Sequence, residues 1–197
     1  MGRRGSTFLV IWSLFFLAGC VSAPAPEDWL AVGWHGPEET FRTFQTALRG
    51  DRPDLEYACF SDAFKRRNRL GQLAWREARE RLHGEIPFLD RLGAARITRV
   101  TSLAPDRAAI DARATFLWMR RSFRVTFVRE DFWEVWSGDV LLADDYADFD
   151  RVVQATGDGV RVLVPGEGFE STPITRVVAD QYWKIDDFAE ILDAPRP

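Results

Sequence analysis

The chain is poor in the residues that most often carry chemistry. Its 197 residues include two cysteines, two histidines and three tyrosines. So few cysteines exclude a disulfide-stapled scaffold. There is no G-x-S-x-G elbow, no H-E-x-x-H, no Gly-rich phosphate loop and no C-x-x-C. The motifs of serine hydrolases, zinc proteases, nucleotide sites and dithiol redox centres are therefore missing, and no cofactor is implied. Lysine is nearly absent: of 26 basic residues only Lys65 and Lys184 are not arginine. That bias reads as genome composition rather than phosphate binding. The 30 acids outnumber the bases, and an acidic body gives no electrostatic case for nucleic acid. Asp144, Asp145, Asp148 and Asp150 lack the D-x-D-x-D-G spacing of a calcium loop, so they read as a solvated acidic loop.

What is present begins at residue 1. Arg3 and Arg4 precede the apolar run Phe8 to Ala18, interrupted only by Ser13, and Leu17-Ala18-Gly19-Cys20 closes it. A basic start, a short apolar core and small residues make a secretory signal. The run is too short for a bilayer span, which takes about 20 apolar residues. The segment resembles a bacterial lipoprotein signal peptide with its lipobox. The resemblance implies a lipid on the Cys20 thiol, cleavage after Gly19 and residence on the extracytoplasmic, periplasmic side of a membrane. Val21 comes after the cysteine, with no Asp in the position that retains lipoproteins at the inner membrane, so the outer membrane is expected over the inner. Without residues 1–19 the chain keeps 24 bases against 30 acids, a net of −6. Cys59 then has no partner, and its apolar surroundings suggest an inert buried thiol.

Residues 20–35 read as a lipidated cysteine and tether, in which Pro24 and Pro26 oppose helix, although Trp29, Leu30 and Trp34 are apolar enough to dock on the domain. A helix is expected from Pro37, with Phe41, Phe44 and Leu48 on one stripe and Gly50 ending it. A second helix starts at Asp51-Arg52-Pro53-Asp54, its apolar face made by Leu55, Ala58 and Cys59. Ser61-Asp62 caps a further turn that ends in the basic run Lys65 to Arg69, read as a solvated helix end rather than a lipid-headgroup contact. A third helix is expected over Gln72 to His83, facing inward with Ala74, Ala78 and Leu82 and stopped by Gly84.

From Ala95 the apolar period changes to two. Ala108, Ile110, Ala112, Ala114 and Phe116 alternate with Ala109, Asp111, Arg113 and Thr115 as a half-buried strand. Phe123, Val125 and Phe127 continue in the next, and Phe132 to Trp136 is either another strand or its continuation past a bulge. Thr156-Gly157-Asp158-Gly159 between valine runs reads as a hairpin. Pro165 to Pro173 is a loop, and Val177, Ala179, Trp183 and Ile185 mark one face of a long last strand. Residues 191–197 read as a frayed tail. Helices followed by antiparallel strands predict an α+β domain.

The run Gly36 to Asp51, the later Phe60-Ser61-Asp62-Ala63-Phe64 and the ending Tyr182-Trp183-Lys184-Ile185-Asp186-Asp187 resemble the opening helix, the L-S-x-x-F and the closing W-K-I strand of NTF2-like (SnoaL, cystatin-like) domains. The resemblance covers about residues 36–188 and implies a domain over residues 36–190. Such a domain is a cone, with N-terminal helices packed on a curved antiparallel sheet, and it often pairs with a second copy through the outer sheet face. Enzymes of that kind use a Tyr with an Asp, or a His/Asp pair. Here, among Tyr57, Tyr146 and Tyr182, no Tyr plus Asp pair falls on one strand face where the pocket would be, and His83 at a helix end is the one histidine a pocket could hold. Trp75, His83, Trp118 and Trp133 are the candidate pocket residues, and the tryptophans serve equally as ordinary core. Two functions are consistent with this: a lipid-anchored, non-enzymatic domain that binds a ligand, a second copy or an envelope partner, or a small-molecule enzyme (isomerase, dehydratase or hydrolase) of the NTF2-like type.

Overall fold

A computed structural model describes residues 22–85, 89–116, 119–145, 153–156, 159–162 and 175–191. The architecture is α+β: helices come first in the chain and pack on an antiparallel sheet.

Helix α1, Pro26–Leu30, forms where prolines were expected to prevent one. Pro26 occupies the first helical position, where its missing N–H is no loss, and the Asp28 carboxylate accepts the Ala25 N–H at 3.0 Å. The helix docks rather than hanging free. Arg49 Nη2 reaches Asp28 at 3.0 Å, and the Trp29 ring lies so close over Gly50 that a Cβ there would stand 2.4 Å from it. Leu30, by contrast, stays exposed.

Helix α2, Pro37–Arg49, has Glu38 and Glu39 in its first turn, suited to the positive end of the helix dipole. Phe41, Phe44, Ala47 and Leu48 are buried, as the periodicity requires. The helix is sunk more deeply than its apolar stripe suggests, because its polar side chains serve neighbouring backbone. Thr43 both accepts from and donates to Gly33 at 2.9 Å, Thr40 donates to the Trp183 carbonyl at 2.8 Å, and Gln45 Nε2 spans the carbonyls of Leu92 and Ala95 at 2.9 and 2.7 Å. Gly50 does cap the helix, with an ordinary φ of −90°, and Asp51 takes the left-handed conformation at 53°. Gly50 is thus required by the Trp29 ring rather than by its own backbone.

Next come helix α3, Pro53–Ala58, and helix α4, Asp62–Arg67, and the Ser61 hydroxyl accepts the Phe64 N–H at 2.9 Å to cap α4. The far end of α4 closes with Leu70 N–H on the Lys65 carbonyl at 2.8 Å and Arg69 N–H on that of Arg66 at 3.2 Å. Arg69 therefore holds φ 53° where glycine is usual. Helix α5, Gln72–Glu85, runs past Gly84, and the short α6, Leu89–Leu92, precedes the sheet. The inward face of α5 differs from the expected one: Ala74 is exposed, and Trp75 and Arg79 are buried. Apolar periodicity misplaced that face by one residue because an arginine occupies it.

The main sheet is built on one strand. Strand β3, Met119–Ser137, is continuous through the stretch where a break was in question. On one side β2, Arg107–Phe116, pairs with its first half and β4, Val140–Asp145, with its end, and β1, Arg96–Ala104, lies outside β2. On the other side β7, Arg176–Ile191, pairs with it from Ser122 to Trp136. Asp144 and Asp145 thus belong to a strand opposite Glu134 and Trp133, not to a loop. Tyr146 and the aspartates at 148 and 150 lie outside the described residues, as do residues 165–173. The expected hairpin is β5, Val153–Thr156, paired antiparallel with β6, Gly159–Val162, while turn residues 157 and 158 are also outside the description.

Ala108, Ile110, Ala112 and Ala114 of β2, Val125 and Phe127 of β3, and Ile185 of β7 face the helices and are buried. Burying a phenylalanine side chain contributes about 1.5–3 kcal/mol, so Phe41, Phe44, Phe60 and Phe127 dominate this interface. In β7 the pairing steps from Thr126↔Asp187 to Phe127↔Ile185, leaving Asp186 as the extra residue of a bulge. The bulge reverses the alternation, so Ile185 and Phe188 both reach the core, and Phe188 packs at 5.5 Å from Phe44. Ser61 Oγ at 2.8 Å and the Arg67 guanidinium hold Asp186 in place. The edge of β7 is covered: Trp34 accepts the Trp183 N–H at 2.7 Å, Cys59 accepts that of Ile185 at 2.8 Å, and Ser61 donates to the Ile185 carbonyl at 2.8 Å.

Candidate functional site

Of the residues that sequence reasoning put forward, Cys20 and Trp118 lie outside the described residues. His83 lies on α5, and Trp133 on β3 stands between Asp145 and Ala179. Trp75 is the one whose surroundings are described, and it is core: its indole sits edge-on to Phe60 at 4.8 Å. Phe60 in turn meets Phe44 at 5.6 Å, Phe64 at 4.8 Å and Phe188 at 6.0 Å. Aromatic rings fill this part of the space between helices and sheet.

Two clusters of ionisable groups lie beside this aromatic core, and neither was visible as a motif. In the first, Glu56 of α3 is fully buried. Arg79 Nε approaches its two oxygens at 2.9 and 2.8 Å, and Trp75 Nε1 donates to one of them at 3.2 Å. Arg79 Nη1 reaches out to Asp51 at 2.7 Å. The buried Glu56–Arg79 pair is matched in charge, with Asp51 exposed at its rim, and the cluster clamps α3 and α5 to the end of α2.

The second cluster surrounds Lys184 of β7, which is 1% exposed. Its Nζ donates to the Ala58 carbonyl at 2.7 Å and lies 5.1 Å from the Trp34 ring and 5.6 Å from that of Tyr182. Burial pushes the ammonium down to about 8. Cys59 lies close by with no exposure, and burial pushes its thiol up to about 12, a pull that the lysine charge only partly offsets. The Trp34 indole approaches that sulfur, but its buried Nε1 does not reach hydrogen-bond geometry. Glu130 of β3 accepts the Asp62 N–H through Oε1 at 2.9 Å, while its buried Oε2 has no hydrogen-bond partner among the described residues. Burial holds this carboxyl above its usual range.

No family model, no curated protein and no solved structure matches this chain. What the site can do is therefore read from its geometry. An amine that titrates near 8 is the kind catalysis can use. Here the shift has a simpler cause, since Trp34 and α3 cover Lys184, and a side chain 1% exposed offers a substrate no approach.

Outside this cluster, Tyr57, Asp62, Lys65, Arg66, Arg69, Leu70 and Gly71 line an open groove of about 390 Å³. The basic run at its rim is largely neutralised within the chain. Lys65 pairs with Asp62 at 3.6 Å and lies over the Tyr57 ring at 4.7 Å, and Arg67 pairs with Asp186 at 3.5 Å. Among the described residues no three His, Cys, Asp or Glu side chains are placed to hold a metal ion, and no helix is long and apolar enough to cross a membrane.

Proposed function

We propose that this is a lipid-anchored envelope protein, held through an acylated Cys20 on the extracytoplasmic side of the outer membrane. In this reading its body is an NTF2-like cone that binds a ligand or a protein partner rather than catalysing a reaction. The anchor reading rests on Leu17-Ala18-Gly19-Cys20 after a short apolar run. The cone reading is supported by helices that precede an antiparallel sheet and by a last long strand beside the central one. The observation that carries the binding reading is the packing of the space between helices and sheet. Phe44, Phe60, Trp75 and Phe188 occupy that space, Glu56 is bound by Arg79, and Lys184 is buried.

Two measurements test this. Labelling cells with a palmitate analogue should tag the protein, and Cys20→Ser should abolish the tag and leave the precursor uncut. An unchanged tag in that variant would overturn the anchor. Native mass spectrometry of the protein extracted from its membrane should show a bound small molecule or protein. A bare monomer that turns over a small-molecule substrate would instead establish the enzyme reading.

A further inference from the structure

Charge is unevenly distributed along the sheet. Residues 96–129 hold eight arginines and two acids, Asp106 and Asp111, whereas residues 130–145 hold six acids and no base. A genome-wide preference for arginine over lysine accounts for the choice of base, but it does not separate the two signs. The pairing register shows where the arginines go. Because Ala108, Ile110, Ala112 and Ala114 face the helices, Arg113 and Asp111 face outward. Arg96 stands opposite Arg113, Arg99 and Arg124 flank Asp111, and Arg120 stands opposite Thr115. All five arginines are exposed on the outer face of β1, β2 and β3.

Among the described residues a single carboxylate serves this face. Asp111 takes Arg124 in a two-point bond at 2.7 and 3.0 Å, and Arg99 is close enough to add to the pull that lowers its carboxyl. Arg96, Arg99, Arg113 and Arg120 form no ion pair among the described residues. A cluster of like charges without ion pairs among the described residues costs stability through repulsion in an otherwise acidic protein, and a partner of opposite charge is the economical explanation.

We infer that the outer face of β1–β3 is a second membrane contact, an arginine surface that lies on anionic phospholipid headgroups. This rests on the reading of the chain as membrane-tethered. From Cys20 to Pro26 there are six residue steps, which extended span about 20 Å at most, so the domain could not leave the headgroup region. The acidic end of the sheet at β4 is repelled by the same headgroups. Attraction at one end and repulsion at the other set one orientation for the tethered domain. Each arginine near an anionic surface is worth about a fivefold gain in binding.

The test uses the full chain carrying Cys20→Ser, so that acylation cannot contribute. Flotation with phosphatidylglycerol-containing vesicles is compared with flotation on pure phosphatidylcholine, and the apolar leader contributes to both. The expected result is a preference for the anionic vesicles that fades as salt is raised. Arg96→Ser/Arg113→Ser/Arg120→Ser should weaken that preference about a hundredfold, and Arg113→Ser alone about fivefold. Arg66→Ser/Arg69→Ser, on the α4 rim, should leave it unchanged. No anionic preference at low salt would overturn the inference, as would a preference lost equally in the α4 variant. An arginine variant that changes oligomer size but not vesicle binding would assign the face to a second copy and overturn it too. Palmitate labelling is read separately, so failure of the anchor and failure of this face are distinguishable.

Discussion

Glu56 and Lys184 are both buried charges, with 0% and 1% exposure, and the protein treats them in opposite ways. Glu56 meets Arg79 across two short bonds and receives an indole N–H as well. Lys184 donates to a backbone carbonyl and lies beside aromatic faces, and the Glu130 and Asp62 carboxylates favour its charged form. A closed pair keeps both charges in the interior. For Lys184, burial pushes the protonation equilibrium toward neutrality. The first site is a fixed strut and the second a group whose charge depends on pH.

The largest expected effect comes from breaking the closed pair. Glu56→Ala leaves Arg79 buried without its main partner and should cost about 3–5 kcal/mol, read from the urea midpoint at unchanged slope. Glu56→Leu/Arg79→Met removes both charges and should recover most of that loss. If the double variant were as unstable as the single one, packing rather than charge would govern the site.

Next in size is the pH dependence of the open site. The unfolded chain keeps the Lys184 proton up to about 10.5, while the folded chain releases it near 8. Between those values the unfolded state binds more protons, so stability should rise with pH through that window. Lys184→Met should abolish the rise and stabilise the protein at neutral pH by on the order of 2 kcal/mol. A pH profile unchanged by the substitution would show that the lysine is not desolvated in solution. Glu130 works in the opposite sense. Its folded value lies above the ordinary 4.5, so the stability it contributes is complete below 4.5 and is lost as pH rises through the folded value. Glu130→Gln should flatten that decline and change neutral-pH stability by under about 1 kcal/mol. The smallest effect is a rate that should stay near zero. Cys59, with its thiol at about 12, should resist alkylation until the protein unfolds. Prompt labelling of native protein would show that the Lys184 cluster opens.

Much of the α+β layout was legible because it is written in apolar periodicity. The stripe of α2 and the alternation of β2 derive from it, and the hairpin of β5 and β6 from the turn residues between its valine runs. What stayed hidden depended on polar groups acting at a distance in sequence. Arg79 is inward only because Glu56, 23 residues earlier, is there to receive it, and a window over α5 alone selects Ala74. The bulge at Asp186 depends on Ser61 and Arg67 from another element, so no alternation within β7 could announce that Phe188 turns inward. The Lys184 cluster was missed for the same reason, since Trp34, Ala58 and Glu130 converge on it from three separate segments. Its one local signal was the rarity of lysine itself.

The docked segment before α2 is attached at several points, and those attachments have a mechanical order. Any force drawn along the N-terminal residues would meet the Trp29 ring seated over Gly50 and the Asp28–Arg49 contact first. Only after those yield would it reach the paired Gly33–Thr43 bonds and the Trp34–Trp183 bond at the sheet edge. The domain is thus guarded by a breakaway joint: a tug on the N-terminal end would peel off one short helix before it could strain the long strands behind it.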